Sequence, residues 1–533
     1  MTNVFFIIFL GAIMFWWGYR FYCKKLESLW QIDTKRPTPA VSKYDGVDYV
    51  PARHWLVLFG HHFASIAGAG PIIGPVIACC LWGWFPALIW IVLGTIFIGG
   101  VHDFGALITS VRQEGSSIAD IAEETISKRA KILFSSFVLL ALILVIAVFT
   151  YFCADTFVKE PKIVLPSLGL IPVAMLVGFL LYHLRANIVF STILGLGLLT
   201  GLLFLGNLWP IALGANAMLT WTIVLLVYCY FASVLPVNIL LQPRDYLSSF
   251  LLFAGVGFGY LGVLILHPNL TAPAYIGFKS SEGWLWPMLC VTIACGAISG
   301  FHALIASGTS SKQIANERDA KRIGYGGMVA EGIVAMLSVL AVCAGIKSQA
   351  LSGLLKEMGP VRLFSQGYHN LSQPLLHNYG GFIAITILNA FILTTLDTAT
   401  RITRYLTEEL FGIKNRYLST LLVVIAGGGL ALSGKWNKIW PVFGASNQLV
   451  AALALIVLSS WLFCKNKSMR YTLWPAIFML VTTVGSLIYQ LLRYTRDRDY
   501  FLLGVSLTLI ALAIFMLVEV VVSFKEKRVC LKV

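Results

Sequence analysis

Long apolar stretches separated by short polar connections follow one another along the whole chain. Lipid offers no hydrogen-bond partner to backbone N–H and C=O groups, so an apolar stretch of about 20 residues is typical of a helix that spans a membrane. The pattern therefore predicts an all-α polytopic membrane protein. We expect fifteen spanning helices, near residues 3–21, 55–80, 84–103, 131–152, 163–182, 188–207, 219–241, 247–267, 285–306, 326–346, 380–400, 417–433, 440–464, 471–491 and 500–522.

Two of the predicted spans are interrupted by glycine and proline. The second reads HHFASIAGAGPIIGPV from His61 to Val76, and the seventh reads SVLPVN from Ser233 to Asn238. Proline removes a backbone donor and glycine loosens a helix, so both sequences predict a break inside the membrane. Such breaks persist only where the freed backbone groups line a cavity or lie buried in protein.

The two interrupted spans are five apart and run in opposite directions in the predicted topology. Interrupted helices at matching positions of two inverted halves are the best sequence pointer to the binding site of a transporter. The general enrichment of glycine and proline in membrane helices explains one such helix better than two. The N-terminus of a half-helix favours a carboxylate. The residues expected to contact the substrate are Ser65, Ala67, Gly68, Gly70, Ser233 and Asn238.

Composition excludes a soluble multi-domain protein. Charged residues make up 12% and hydrophobic residues 58% of the 533 positions, whereas soluble domains are about 25% charged. The mean hydropathy is +0.83. The net charge of +15 suggests nucleic acid, but lysine and arginine lie in the connections and form no basic stripe with interleaved aromatics. The first apolar run lacks the flanks of a signal peptide and is expected to remain as a helix.

The distribution of lysine and arginine predicts the orientation. With the N-terminus outside, the inward-facing segments collect more than two thirds of the 39 lysine and arginine residues, as cytoplasmic loops do. These segments include the connection from Arg20 to Arg53 and the tail from Lys525 to Lys532. The connection around Arg496 is an exception. We predict that the N-terminus lies outside and the C-terminus in the cytoplasm.

Ionisable side chains inside a span are costly and are functional candidates by default. Histidine titrates near neutral pH and can carry a proton where lysine and arginine cannot. Two histidines adjoin the first break at adjacent positions, which point about 100° apart, so they cannot face one cavity equally. The candidates for proton or ion coupling in these spans are His61, His62, Asp103, His302, Glu331 and Asp397.

Each candidate also has a structural explanation. A buried histidine can be neutral and hydrogen-bonded across helices, Asp103 can fix a loop at a helix end, and Glu331 can reach toward the basic loop before its helix. Asp397 lies one turn from Arg401. Because an i, i+4 ion pair neutralises both charges, pairing with Arg401 is the favoured interpretation of Asp397.

The ninth predicted span ends in SGTSS, which adds Ser307 and Thr309 to the candidates for ion coupling. Hydroxyls beside unwound carbonyls suit a small cation such as sodium. They equally satisfy the carbonyls of a helix end, and the sequence leaves both interpretations open.

No cofactor and no metal site is expected. The ten cysteines show no zinc spacing, and no phosphate-binding glycine motif follows a predicted strand, so coupling to an ion gradient is favoured over ATP. A membrane enzyme would depend on a metal set such as His61, His62, His102 and Asp103, yet no HEXXH or GxSxG motif is present. A nutrient sensor would have to signal through a partner, because no inward connection is long enough to form an output domain.

Six motifs stand out between residue 54 and about 460. They are LFGHHFASIAGAGPIIGP (58–75), GGVHDFGALITSVRQEGSSIADIAEE (99–124), LQPRDYL (241–247), ISGFHALIASGTSSKQI (298–314), LNAFILTTLDTATRITRY (388–405) and WPVFGASNQL (440–449). Together they resemble the carbon starvation A (CstA) family of bacterial membrane transporters. The motifs are long and unusual, so the resemblance is specific.

The resemblance implies a LeuT-like core of two inverted five-helix repeats. The chain is expected to divide into a first helix and cytoplasmic loop (1–53), a first repeat (54–210), an inverted repeat (211–410) and further helices (411–533). The resemblance also implies import of pyruvate or short peptides across the bacterial cytoplasmic membrane, used to scavenge nutrients during starvation. Proton coupling is favoured; sodium coupling and a membrane sensor without transport are the alternatives. The expected partners are the bilayer, the small substrate and the coupling ion, and no nucleic acid.

Overall fold

The computed structural model describes residues 4–348, 350–434 and 436–525. The part of the predicted basic tail that follows Lys525 lies outside the described residues. In the described ranges the chain is helical apart from loops and one antiparallel hairpin, β1 (Lys279–Ser280) and β2 (Gly283–Trp284). The predicted all-α class is confirmed.

The helices of the bundle are numbered in chain order. They are α1 (Val4–Trp30), α2 (Trp55–Ile66), α3 (Gly70–Trp82), α4 (Trp84–Arg112), α5 (Lys128–Lys159), α6 (Pro161–His183), α7 (Ile188–Leu208), α8 (Ala217–Val234), α9 (Leu241–Leu266), α10 (Leu285–Thr292), α11 (Ala294–Ala297), α12 (Gly300–Gly308), α13 (Glu317–Gly345), α14 (Leu351–Leu376), α15 (Gly380–Phe411), α16 (Arg416–Leu432), α17 (Trp436–Cys464), α18 (Arg470–Arg496) and α19 (Tyr500–Lys525). The short helices Pro39–Ser42 and Ile118–Thr125 lie in connections.

The number of spans differs from the predicted fifteen. By length and composition, 12 helices in the described residues are able to cross a membrane, or 13 if the bent pair α2–α3 is one span. In this count α14 and α15 form one segment. The number fifteen is not confirmed, because α16 is too short to be counted and the predicted span 285–306 is divided among α10, α11 and α12.

The predicted break in the second span is confirmed. The helices α2 and α3 are bent by 44° where they meet. Ala67, which follows α2, has φ −79° and ψ 70°, outside the helical region. Pro71 lies in the first turn of α3, a position that tolerates its missing N–H and favours the start of a helix. We call α2 and α3 the first broken segment.

The predicted break in the seventh span is wrong. The helix α8 is continuous to Val234, and the SVLPVN sequence ends it and leads into α9. The second interruption lies in the ninth predicted span, where Ile298 and Ser299 adopt extended backbone angles between α11 and α12. No proline marks this place. Instead the side chain of Asn447, on the distant helix α17, hydrogen-bonds to the Ser299 hydroxyl and to the Phe301 N–H. We call α10, α11 and α12 the second broken segment.

The two broken segments cross at their breaks, and glycine makes the close approach possible. A Cβ added to Gly70 would lie 2.2 Å from the Cβ of Cys295, and one added to Gly74 would lie 2.3 Å from the carbonyl oxygen of Thr292. The helix α2 contacts α12, whereas α3 contacts α10 and α11. The segments therefore run antiparallel.

The neighbours of the broken segments occur in matching pairs. The helix α3 packs on α13 and α12 packs on α4, while the long helices α5 and α15 pack on each other. The helix α5 also contacts α16 and α17, and α15 contacts α8 and α9. In α17, 94% of the apolar window is buried in the protein, whereas in α1 and α7 only 22% is buried. The helix α17 is thus central, and α1 and α7 present apolar side chains at the periphery, where lipid would contact them.

Contacts between the connections agree with the predicted alternation of sides. Lys43 and Glu114, on two connections predicted to face inward, form an ion pair of 2.5 Å. Glu282 and Arg493, on two connections predicted to face outward, pair at 2.6 Å. The second pair gives a partner to one of the arginines that depart from the charge bias. The direction, with the N-terminus outside, stays a prediction.

Candidate functional site

The first break leaves carbonyl groups that threonines of α15 satisfy. The Oγ1 of Thr395 donates to the carbonyl of Ser65 at 2.9 Å, and the Oγ1 of Thr394 donates to that of Ala64 at 2.5 Å. In contrast, no side-chain cap is present at the N-terminus of α3. There Pro71 has no N–H, and the N–H groups of Ile72 and Ile73 donate to the Ala69 carbonyl at 3.2 and 2.9 Å, so the positive end of the helix dipole is the feature left to attract an anion. Four predicted contact residues are buried at this break: Ser65, Ala67, Gly68 and Gly70.

The second break is held by Asn447 of α17. Its Oδ1 accepts hydrogen bonds from the backbone N–H of Phe301 at 3.0 Å and from the hydroxyl of Ser299 at 3.1 Å. Its Nδ2 lies 2.9 Å from the same hydroxyl. The N-terminus of α12 is therefore capped by the protein, and that of α3 is not.

A first cavity of about 250 Å³ lies between the two broken segments and reaches the start of α3. It is lined by Gly70 at the start of α3 and by Cys295 of α11. Charged residues of opposite sign, Glu282 and Lys356, line it as well. Both belong to segments that are predicted to face outward. The uncapped N-terminus of α3 thus lies at a cavity that a solute on the predicted outer side of the membrane could enter.

A second cavity of about 210 Å³ lies beside the C-terminal end of α12. Its lining includes Ser307 and Gly308, together with Lys312 and Glu409. The connections around it are those predicted to face inward. The two cavities share no lining residue, so the breaks separate them, as alternating access requires.

Four titratable side chains from four helices meet beside the breaks, and we call them the His62 cluster: His62 (α2), Asp103 (α4), His302 (α12) and Glu331 (α13). The Nε2 of His62 lies 3.0 Å from Oδ2 of Asp103, and Nε2 of His302 lies 2.8 Å from Oε2 of Glu331. The Nδ1 of His302 is 3.7 Å from the same Asp103 oxygen. The remaining His62 nitrogen shares a hydrogen bond of 2.7 Å with the Ser310 hydroxyl. All four members are 0% exposed.

This geometry decides two alternatives that the sequence left open. Asp103 does not end a helix, because α4 continues to Arg112 and holds the carboxylate against His62. Glu331 does not reach toward the basic loop before its helix, because its buried carboxylate lies beside His302. The sequence could not supply these partners, which come from other helices. Each carboxylate lies next to an imidazole that compensates part of its lost solvation.

A second group of polar residues, buried except for the half-buried Tyr228, lies on another face of α2. We call it the Arg244 cluster: His61, Tyr228, Arg244, Asp245 and Asp397. The Nδ1 of His61 lies 2.7 Å from Oδ2 of Asp245. The Nε of Arg244 donates to Oδ1 of Asp245 at 2.9 Å, and its guanidinium also pairs with Asp397. The Tyr228 hydroxyl donates to Oδ2 of Asp397 at 2.6 Å. The adjacent histidines therefore belong to different clusters.

The favoured pairing of Asp397 with Arg401 is wrong. Arg401 pairs instead with Asp48 of the α1–α2 connection at 3.1 Å, and Asp397 pairs with Arg244. The helix α9 begins at Leu241, six residues before its predicted start. The sequence therefore placed Arg244 in a connection, although its side chain is 1% exposed inside the bundle.

The hydroxyls at the end of α12 bond to their own helix. The Oγ of Ser307 donates to the carbonyl of Ala303 at 2.7 Å, and the Oγ1 of Thr309 donates to that of Ile305 at 2.9 Å. This is the helix-end arrangement among the two alternatives. Ser310 differs because its hydroxyl bonds to the histidine described above.

The structure does not bring Ser233 and Asn238 to either break. The hydroxyl of Ser233 lies 3.5 Å from that of Thr420 on α16. Asn238 lies in the α8–α9 connection, against Gly178 of α6. Opposite the start of α3 lie Cys295 and Gly296 of α11.

Sequence reasoning missed three residues that shape the site. Arg244 and Asp245 belong to the LQPRDYL motif, and Asn447 belongs to WPVFGASNQL. For Arg244 and Asp245 the available signal was their opposite charges directly before an apolar run. If the helix begins earlier, it includes this pair and buries both side chains. A lone asparagine in an apolar helix carries no signal of what it caps.

A metal set of His61, His62, His102 and Asp103 is not assembled, because the first two histidines face different clusters. In the described part of the chain, no group of three or more His, Cys, Asp and Glu side chains is placed to hold a metal ion. Both ring nitrogens of His102 are buried without a hydrogen-bond partner among the described residues.

A strap formed by residues 45–52 crosses the bundle beside the second cavity. Asp48 accepts hydrogen bonds from Arg401 at 3.1 Å and from the Tyr405 hydroxyl at 2.5 Å. The Nε2 of Gln242 donates to the carbonyl of Val50 at 3.3 Å. Burial alone would raise the pKa of Asp48, but the Arg401 guanidinium and the Tyr405 hydrogen bond hold that pKa below its usual range.

Comparison with protein families gives one match over nearly the whole chain. The model of the family described as carbon starvation protein CstA matches residues 3–356 and 346–486.

Curated relatives match over most of their own length as well. The peptide transporter CstA of Escherichia coli (strain K12) is 32% identical over an alignment 567 residues long with its gaps, which covers 90% of this chain and 80% of the relative. The pyruvate/proton symporter BtsT of the same organism is 31% identical over 572 residues, covering 88% and 79%. The peptide transporter CstA of Bacillus subtilis (strain 168) is 32% identical, covering 85% of this chain and 84% of the relative.

A solved structure shares the fold. The crystal structure of the Eremococcus coleocola manganese transporter in complex with an aromatic bis-isothiourea substituted compound has a TM-score of 0.56 and 14% sequence identity. The match covers 90% of this chain and 99% of that chain. At this identity the likeness concerns the arrangement of helices alone.

Proposed function

Since the chain belongs to the carbon starvation protein CstA family and is a multi-pass membrane transporter, we propose that it imports a small carboxylate-bearing nutrient by symport with protons. Pyruvate and short peptides are the substrates named for its relatives, and both bear a carboxylate. Its place is the cytoplasmic membrane of a bacterium, and its use is to scavenge nutrients during starvation.

The observation that carries the proposal is the first cavity ending at the uncapped α3. The substrate carboxylate binds beside Gly70 at the start of α3, where the positive end of the helix dipole borders the cavity. Asn447 already occupies the equivalent position at α12. The first break is therefore the one whose following helix has no side-chain cap at its N-terminus. The ammonium group of a peptide would find Glu282 on the same cavity.

Proton coupling is assigned to the His62 cluster. His62 lies on the first broken segment and His302 on the second, and both lie within 3.7 Å of one Asp103 oxygen. A proton gained or lost here changes the attraction between the two segments. Because the cluster is fully buried, such a change in charge has a large effect on the free energy of each conformation. This links protonation to the movement of the two broken segments that line the substrate site.

Ten helical segments are assigned to two inverted repeats of a LeuT-like core. The first repeat comprises the first broken segment, α4, α5, α8 and α9, and the second comprises the second broken segment, α13, α15, α16 and α17. In support, α5 and α15 both have 32 residues, and α4 and α13 both contain a π-helical turn. Contacts between the two repeats also fit, since α5 touches α16 and α17 of the second repeat and α15 touches α8 and α9 of the first. The repeats then span 55–266 and 285–464 instead of 54–210 and 211–410.

The test is uptake into liposomes that contain the purified protein. Labelled pyruvate is supplied under an inward proton gradient, with an excess of unlabelled dipeptide as competitor. The proposal expects accumulation that a protonophore abolishes, and the competitor then separates pyruvate from peptide as the substrate. If pyruvate does not accumulate, the assay is repeated with labelled dipeptide. An inward sodium gradient in place of the proton gradient tests the alternative coupling ion.

A matched pair of variants tests the site. His62→Gln is expected to lower proton-driven uptake by about tenfold or more, a loss of at least about 1.4 kcal/mol. His183→Gln, at an exposed position of α6, is expected to leave uptake unchanged. Binding of both substrates without uptake, in liposomes with verified insertion, would reject the transport proposal and favour a sensor.

A further inference from the structure

The Arg244 cluster, which the proposed coupling site does not use, has an unbalanced charge. It holds one permanent cation, Arg244, and two carboxylates, Asp245 and Asp397, all at most 1% exposed. His61 is the remaining base, with its Nδ1 2.7 Å from Asp245. With a neutral His61 the net charge of the cluster is −1, and with a protonated His61 it is zero.

The elements packed around the cluster supply no further cation among the described residues. They contribute hydroxyl, thiol and amide groups, namely Ser65 (α2), Tyr228 and Cys229 (α8), Thr398 (α15) and Gln313 (the turn after α12). The cations on the same elements are engaged elsewhere. Arg401 pairs with Asp48, and Lys312 and Arg404 lie over the Tyr405 ring.

We propose that the Arg244 cluster binds a proton of its own on His61, so that each transport cycle moves two protons with one substrate. The proposal rests on the proton symport proposed above and adds its stoichiometry. An uncompensated buried charge costs several kcal/mol. The form with a protonated His61, in which the cluster has no net charge, is therefore favoured while the cluster is closed to water. Asp397 accepts hydrogen bonds from both Arg244 and Tyr228, which compensate its negative charge.

The position of the proton follows from the hydrogen bonds of His61. Its Nδ1–H already faces Asp245, so the added proton binds Nε2. That nitrogen lies 3.3 Å from the side-chain amide of Gln313. The two orientations of such an amide are interchangeable, so its nitrogen donates to the neutral ring and its oxygen accepts from the protonated one. The neighbouring Gln242 amide, 2.7 Å from Gln313, reorients with it.

Release of this proton follows from the location of His61 on α2, the first half of the first broken segment. Its partner Asp245 lies on α9, so movement of α2 at the first break parts the two side chains. Ser65, one turn further along α2, bridges Asp245 at 3.3 Å and Thr398 at 3.1 Å, so the same movement opens the surrounding contacts. His62 on the next position belongs to the other cluster. One movement of α2 therefore exposes both proton sites.

The experiment measures the coupling ratio directly. Liposomes that contain the protein, with the membrane potential clamped to zero, are loaded with a tenfold gradient of the substrate that accumulates, labelled pyruvate or dipeptide. The pH difference at which net flux vanishes is then determined. A tenfold ratio and one pH unit represent the same free energy, so balance requires about half a pH unit for two protons and about one unit for one proton.

Three variants and one control separate a proton site from a structural role. Asp245→Asn leaves one cation and one carboxylate, a neutral cluster that needs no proton, and is expected to balance at about one pH unit. His61→Gln leaves the charge of −1 and is expected to lower the melting temperature. The double variant His61→Gln/Asp245→Asn is neutral again, and is expected to recover that temperature and to balance at about one unit. Thr192→Val, which removes an uncharged contact between α7 and α9, is expected to balance at about half a unit.

The outcomes distinguish this inference from the proposed function. Balance at about one unit for the unaltered protein, or at half a unit for Asp245→Asn, would overturn the second proton. Absence of any proton-driven uptake by the unaltered protein would instead reject the symport itself.

Discussion

At the scale of single residues, the site depends on glycines where the two broken segments cross, because the helices approach too closely there for a larger side chain. Gly70→Ala would place a methyl group within 2.4 Å of both the Cβ and the Sγ of Cys295. Overpacking of this kind costs about 1–3 kcal/mol, so we expect a lower melting temperature and lower uptake. Gly201→Ala on α7, where nothing lies within 4 Å, is the control. Recovery in the double variant Gly70→Ala/Cys295→Gly would identify the crossing as the cause, and a wild-type melting temperature for Gly70→Ala alone would contradict the packing.

A second prediction at this scale concerns Glu331. Glu331→Gln removes a buried titratable group 2.8 Å from His302 and keeps the shape of the side chain. We expect proton-driven uptake to fall by about tenfold or more, while exchange of labelled for unlabelled substrate, which needs no net proton movement, is retained. Glu357→Gln at an exposed position is the control. Equal loss of exchange and of driven uptake would indicate a structural role for this carboxylate.

At the scale of elements, the strap formed by residues 45–52 joins the connection before the first broken segment to α15. Its ion pair between Asp48 and Arg401 connects the segment that precedes the first repeat to α15 of the second repeat in the proposed arrangement. The strap borders the second cavity, since Tyr49 is one of the lining residues. We therefore expect it to restrict access to that cavity from the predicted cytoplasmic side.

The strap makes a testable contribution to stability that depends on pH. Because the pKa of Asp48 is lowered in the folded protein, its stabilising effect is fully present above the ordinary aspartate pKa of about 4 and is lost as pH falls through the lowered pKa. Melting temperatures measured from pH 7 to pH 3 should therefore differ between the unaltered protein and Asp48→Asn at neutral pH and converge below about pH 4. Asp497→Asn, at an exposed position, is the control. A difference that persists unchanged to pH 3 would contradict the ionised pair.

At the scale of the whole molecule, the alternating topology makes a prediction for intact cells. Ser281→Cys, on the connection before the second broken segment, is expected to react with a membrane-impermeant maleimide added outside. Lys414→Cys, in the connection after α15, is expected to react only after the membrane is opened. Both positions are exposed, whereas the described free cysteines are buried or half-buried. Labelling of Lys414→Cys alone in intact cells would reverse the predicted orientation.

The sequence by itself determined the class of the protein and most of its helices. Lipid forces every spanning segment to satisfy its own backbone, so apolar length alone predicts where helices lie. The first break could also be predicted, because glycine and proline act on the backbone where they stand. The residues of the His62 cluster were all identified as candidates, since an ionisable residue inside an apolar run can be recognised in the sequence alone.

Only the tertiary structure decided how these residues are partnered. Asp397 pairs with Arg244, 153 positions away, and not with Arg401 one turn away. The second break carries no proline and exists because Asn447, 148 positions from Ser299, satisfies its freed backbone and hydroxyl groups. The sequence therefore predicted a break in the seventh span, where a local proline merely ends a helix. The free energy of a buried charge or an open backbone group depends on what other helices bring to it, and that information is present only once the chain is folded.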